Sequence, residues 1–131
     1  MTTPHFSPQL LTNRAVIRLT GVDVLPFLNN LLTAELKAQS PTYAALLSPQ
    51  GKILHDMFVV PEGDTVWLDV SQLQAGELLK RLMMYRLRAK IEIVMDDSKA
   101  VAVSSSAELP GLVYVDPRLL GIGYRAIVEA G

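Results

Sequence analysis

The sequence predicts an α+β domain built mainly from antiparallel sheet with two principal helices, and three observations carry that prediction. Strand and helix signals do not alternate in the regular order of a doubly wound parallel sheet. Three successive strand-like runs between Thr42 and Val70 are joined by turns of about four residues, too short for a parallel crossover. Apolar residues recur at helical spacing after Asp23 and again after Ser71. At 131 residues, 50% hydrophobic and 19% charged, the chain has the length for one domain and enough apolar residues for its own core.

Arg14-Ala-Val-Ile-Arg-Leu19 has the β-branched character of a first strand. Asp23 is placed to cap a helix in which Pro26 occupies the first turn, where its missing N–H is harmless. Phe27, Leu28, Leu31 and Leu32 form the apolar side of that helix, which is expected to end between Thr33 and Leu36. Thr42–Leu47, the turn Ser48-Pro-Gln-Gly51 and Lys52–Val60 read as an antiparallel hairpin, and Pro61-Glu-Gly-Asp64 returns the chain into Thr65–Val70. Ser71-x-x-Gln74 matches a capping box ahead of a second helix of about four turns, with Leu78, Leu79, Leu82, Met83 and Tyr85 as its apolar stripe. Lys80, Arg81, Arg86 and Arg88 gather toward its C-terminus, where cations oppose the helix dipole. Short β-branched runs follow at Ile91–Met95, Ala100–Ser104, Leu112–Val115 and Gly123–Val128.

A formal net charge of -1 provides no general attraction to nucleic acid or anionic membrane, so neither is expected as a partner. With no Cys and two His, disulfides, thiolate nucleophiles and thiolate metal ligands are excluded, and no metal-ligating residue is assigned. The first residues lack a signal-peptide core or an Arg-rich transit helix, and no apolar run reaches a membrane span. A cytoplasmic chain is the expectation.

No nucleophile motif is present, His5 and His55 are far apart in sequence, and Gly121-x-Gly123 lacks the third glycine and following helix of a dinucleotide site. A lone His is more often solvated or satisfied than catalytic. No catalytic residue is assigned. The hairpin Tyr43–Asp56 is the informative cluster. Alternation puts Leu54, Asp56 and Phe58 on one face of its second strand, so Asp56 either lies at a sheet margin in water or is kept to bind N–H groups of a heterocycle or to act as an acid/base. Asp69 and Ser71 share one face at the end of the next strand, where Ser71 reads first as a helix cap and Asp69 as favourable charge ahead of the helix. The basic run Arg81, Arg86, Arg88 and Lys90 reads as a solvated helix end or as a clamp for carboxylate or phosphate. Asp116-Pro117-Arg118 has the chemistry of a turn in which Arg118 pairs with Asp116.

Several stretches, taken in order, carry a resemblance. They are Gly21-x-Asp23 with Phe27-Leu28-x-x-Leu31-Leu32-Thr33, and Tyr43-Ala-x-Leu-Leu-x-Pro-Gln-Gly-Lys-Ile-Leu-x-Asp56. Leu68-Asp69-Val70, Leu82-x-x-Tyr85-Arg-Leu-Arg-x-Lys90, Asp116-Pro-Arg118 and Gly123-Tyr-Arg125 follow. In this order the chain resembles the YgfZ-type folate-binding proteins and the mitochondrial iron–sulfur assembly factors related to them. It is more distantly similar to the glycine-cleavage aminomethyltransferase (T protein) and to the folate domain of the tRNA-modifying GTPase MnmE, although no P-loop is present here.

The resemblance implies a folate-binding domain of the aminomethyltransferase type over residues 1–131, corresponding to the N-terminal portion of a longer family architecture. It implies tetrahydrofolate as ligand and iron–sulfur enzymes or assembly proteins as partners. Asp56 matches a folate-contacting aspartate, Tyr43 a folate-contacting tyrosine, and a pterin-contacting asparagine falls on Asp69 or Ser71. The transferase's paired Asp is His55-Asp56 here and its Thr-Asn-Asp is Thr33-Ala34-Glu35, so an accessory folate-binding role is expected ahead of aminomethyl transfer. A folate-independent protein-interaction domain is the third reading. The family's C-terminal Lys-Gly-Cys-Tyr-x-Gly-Gln-Glu is absent. An apolar face left open by that missing portion, and hence self-association, is expected.

Overall fold

The computed structural model describes residues 9–118 and 123–130; His5 and Gly121 lie outside them. In chain order the elements are β1 (Gln9–Leu11), β2 (Arg14–Thr20), α1 (Val24–Leu31), β3 (Thr42–Leu47), β4 (Ile53–Glu62) and β5 (Thr65–Ser71). Next come α2 (Ala75–Arg86), β6 (Glu92–Met95), β7 (Lys99–Ser104), β8 (Leu112–Val115) and β9 (Tyr124–Glu129). The α+β class is as the sequence predicts, and every strand pairing is antiparallel. The strands divide into a five-stranded sheet of order β3-β4-β5-β2-β6 and a four-stranded sheet of order β1-β7-β9-β8. Both this division and the short strand β1, which pairs with β7, go beyond the sequence reading.

Side-chain alternation produces three layers. Ile17, Leu19, Met57, Val59, Val66, Leu68 and Val70 point from the five-stranded sheet toward the helices and meet Val24, Phe27 and Leu28 of α1 and Ala75, Leu78 and Leu82 of α2. Their neighbours Val16, Phe58, Val60 and Trp67 point the other way and pack on Val101, Tyr114 and Ile127 of the four-stranded sheet. A fully buried leucine such as Leu78 or Leu82 contributes about 2 kcal/mol by leaving water, so each helix is held chiefly by its apolar side. The outer face of the four-stranded sheet is paved with Ala102, Ala126 and Val128 under Leu109.

Both helices depart from expectation at their ends. α1 stops at Leu31 because β3 captures the chain: Leu32 bridges to Leu46, the Thr33 amide donates to the Ala45 carbonyl, and the Ala45 amide donates to Thr33 Oγ1. Ser71 does not cap α2. It remains the last residue of β5, paired with Arg14, and the helix begins four residues later with Gln74 at the cap position and no side-chain cap. Asp23 stands at the cap of α1, but its carboxylate instead accepts the Lys90 amide at 2.8 Å.

That bond joins the entrance of α1 to the exit of α2, and Gly21 completes the junction. With φ +132°, a Cβ at Gly21 would stand 2.3 Å from the Lys90 carbonyl oxygen, closer than real contacts allow. Gly21→Ala is expected to cost roughly 3 kcal/mol or more of stability in urea unfolding. A loss well under about 1 kcal/mol would show that the two segments separate cheaply.

Candidate functional site

The inter-sheet face carries a row of side chains set by strand register. Tyr43 on β3 faces Phe58 on β4, Phe58 faces Asp69 on β5, and Asp69 faces Val16 on β2. Phe58 is buried between the Tyr43 ring at 5.1 Å and the Tyr114 ring at 6.4 Å, measured between centroids. Three guanidinium groups surround it: Arg125 at 4.0 Å, Arg118 at 4.9 Å and Arg14 at 5.9 Å from its ring centre. Cations are drawn to the negative face of an aromatic ring, most strongly where water is excluded.

Asp69 is fully buried and both its oxygens are taken. Arg14 Nε donates to Oδ1 at 2.6 Å, Arg125 Nη2 donates to Oδ2 at 2.7 Å, and Arg14 Nη2 donates to the Asp69 carbonyl at 2.9 Å. This carboxylate is therefore a bridge between β2, β5 and β9, and not the exposed charge ahead of α2 that its sequence position suggests. Ser71 lies half-buried at the end of the same strand.

Tyr43 and Asp56 form the outer rim. The Tyr43 hydroxyl donates to Asp56 Oδ2, and Asp56 Oδ1 has no hydrogen bond among the described residues. The bond to Asp56 raises the pKa of Tyr43, with burial adding to it, so the donated proton is retained across the neutral range. Asp56 stands exposed at a sheet margin, one of the two placements that its position in the strand allows.

Arg118 closes the other side of the rim. Its Nε and Nη2 grip Asp116 at 3.0 and 2.7 Å, and its amide donates to Asp116 Oδ1 at 3.0 Å, which is the pairing expected from the turn sequence. The Arg118 guanidinium lies 5.9 Å from the Tyr43 ring centre and remains partly open to water. Burial pushes the Asp116 carboxyl up, but the hydrogen bonds from Arg118 outweigh this and hold it below its ordinary value.

The structure thus brings Tyr43, Asp56, Asp69 and Ser71 to one face, with Tyr43 and Asp56 in direct contact and Asp69 bound by arginines. The sequence reading passed over Phe58, Arg14 and Arg125 as site components. The signal for the arginines was Asp69 itself, a carboxylate on the inward face of Val-Trp-Leu-Asp-Val, which requires buried cations. His55 is buried on the helix side, with Glu77 Oε1 3.6 Å from its Nε2. A cavity of about 550 Å³ lined by Leu10, Trp67, Leu112 and Ile127 includes none of the rim residues. Among the described residues no cluster of His, Asp and Glu could hold a metal ion, and no helix is long and apolar enough to cross a membrane.

No protein-family model matches the chain. It is similar to curated proteins named iron–sulfur cluster assembly factor IBA57 homolog, mitochondrial. It is 38% identical to that of Coccidioides immitis over 90% of this chain and 35% of the relative. Identity to that of Pyricularia oryzae is 30%, over 89% of this chain and 34% of the relative. With Aspergillus fumigatus it is 35%, over 72% of this chain and 26% of the relative. The chain spans about a quarter to a third of the length of these relatives. The fold is that of a glycine cleavage system aminomethyltransferase T from Bartonella henselae, with a TM-score of 0.63 at 17% identity over 70% of this chain and 26% of that one. The cytoplasmic expectation is overturned, because these relatives are named as mitochondrial proteins.

Removing one partner of a buried ion cluster leaves the others uncompensated. Asp69→Asn is expected to lose about 3–5 kcal/mol in denaturant unfolding, whereas Asp56→Asn, at the exposed rim, changes stability by less than about 1 kcal/mol. Asp116, its pKa depressed on folding, contributes stability that is present above the unfolded carboxyl value near pH ~4 and is lost as pH falls through the folded value. Acid unfolding of Asp116→Asn should therefore be less steep than that of the parent.

Proposed function

We propose that this chain is a folate-binding-type module acting in iron–sulfur cluster assembly, and that the Tyr43–Asp56 rim takes one end of tetrahydrofolate. The single observation carrying the ligand assignment is the solvent-facing pair itself. Among the described residues one Asp56 carboxylate oxygen has no partner, while Tyr43 fixes the other. A carboxylate so oriented suits the adjacent N–H donors of a pterin ring, the Tyr43 ring offers a flat apolar surface, and Arg118 supplies a cation at the same edge.

The role in cluster assembly is supported by the similarity to IBA57 homologs along most of this chain. YgfZ-type proteins are the more specific family reading, carried by the motif order from Gly21 to Arg125. Asp69 is better suited to holding Arg14 and Arg125 than to meeting a ligand, so of the two candidates for a pterin contact Ser71 has the freer side chain.

An exposed edge cannot enclose most of a folate-sized ligand, and partial enclosure means weak binding. Calorimetric titration of tetrahydrofolate under reducing conditions should show saturable binding weaker than about micromolar, reduced at least roughly tenfold in Asp56→Ala. Binding equal in the parent and in Asp56→Ala would remove the rim from the site, and no binding to this chain would count against the folate assignment.

A further inference from the structure

The solvent side of α2 carries more apolar surface and more charge than holding the helix in place requires. Its inner side, Ala75, Leu78 and Leu82, is buried in the core. On its outer side Met84 is 62% exposed and Leu87, just past the helix, is 87% exposed, while Leu73 before the helix is 97% exposed. Lys80 and Met84, four residues apart, share one line of the outer helix surface, and Leu87 stands just beyond its C-terminal end.

Leu87 is costly where it stands. Its φ of 42° and ψ of -107°, with the Ala89 amide donating to the Arg86 carbonyl at 2.8 Å, make it the first central residue of a type II′ turn, a position that favours glycine. Leucine there is strained and wet, and it packs against no core cluster.

The charge around this surface is lopsided. Residues 73–90 hold Lys80, Arg81, Arg86, Arg88 and Lys90 against the single acid Glu77, a local charge of +4 in a chain whose total is -1. Glu77 is bound by Arg81, and Lys80, Arg86, Arg88 and Lys90 form no ion pair among the described residues.

We infer that the outer side of α2, from Leu73 to Lys90, is a docking surface for a partner protein that presents an apolar ridge flanked by Asp and Glu side chains. Apolar contacts at the centre and opposite charges at the margin are the arrangement of a specific protein interface, and methionine side chains adapt to the ridge they meet. A second copy of this chain would set +4 against +4. Nucleic acid would satisfy the cations but leave Leu73, Met84 and Leu87 without counterparts. A membrane-surface helix needs a broad apolar side free to enter lipid, and here Leu78 and Leu82 are committed to the core. The surface is independent of the Tyr43–Asp56 rim, which lies on the opposite face of the five-stranded sheet.

The test is binding of four defined probes to the whole chain, read by fluorescence anisotropy or co-sedimentation. They are a helical peptide with Leu at i, i+3, i+4 and i+7 flanked by Glu, the same peptide with Lys for Glu, phosphatidylserine vesicles, and a single-stranded RNA. The Glu peptide should bind, the Lys peptide should not, and affinity should fall as salt rises. Leu87→Glu and, separately, the pair Lys80→Glu/Arg88→Glu should each weaken it at least roughly tenfold. Leu87→Gly supplies a control for folding, since it should raise the melting midpoint by a few degrees while weakening the same binding. The inference is overturned by absence of Glu-peptide binding, by binding indifferent to these substitutions, by tighter binding to vesicles or RNA, or by a dimer that Leu87→Glu dissolves.

Discussion

The buried carboxylate of Asp69 is the constraint on which the arrangement of the two sheets depends. Arg14 reaches it from β2 and Arg125 from β9, so one anion connects neighbouring strands of the five-stranded sheet to the central region of the four-stranded one. A buried anion with two cations is costly to desolvate and tolerates few geometries, which makes it a device for register more than for net stability. Slipping β5 by one residue would turn Asp69 toward the helices, among Met57, Leu78 and Leu82 and away from Arg14 and Arg125, and would turn Leu68 and Val70 out of that core. Phe58 completes the lock. Arg125 packs on its ring and Tyr43 stands beside it, so the inner ion cluster and the outer rim share one aromatic wall.

Much of this fold was legible in the sequence because alternation and helical spacing are local signals. The hairpin of β3 and β4, the return into β5, and the inner side of α2 at Leu78 and Leu82 follow from residues within a few positions of each other. The pairing of Arg118 with Asp116 is local in the same way. What local signals cannot carry is partner choice across the chain. Asp69 finds Arg14 at 55 residues' separation and Arg125 at 56, and the division into two sheets rests on the same long-range packing. Ser71 misled for a related reason. A serine three residues before Gln74 has capping chemistry, but pairing with Arg14 in the sheet held Ser71 extended and moved the helix start beyond it.

The three layers also separate two kinds of surface. On the inter-sheet side the charges are nearly all spoken for: Asp69 by Arg14 and Arg125, Asp116 by Arg118, and one oxygen of Asp56 by Tyr43. Such a network is stiff, and a stiff rim presents its free carboxylate oxygen in a fixed direction at little further entropic cost on binding. On the helix side Lys80, Arg86, Arg88 and Lys90 have no ion partner among the described residues and stand around exposed leucine and methionine. Long unpaired side chains adapt to what they meet, at the cost of ordering them. One five-stranded sheet therefore supports a preorganised polar edge on one face and an adaptable basic-apolar surface on the other. Because Leu68 and Val70 are fixed between the helices while Asp69 is fixed between the sheets, β5 is the strand through which both surfaces keep their relative orientation.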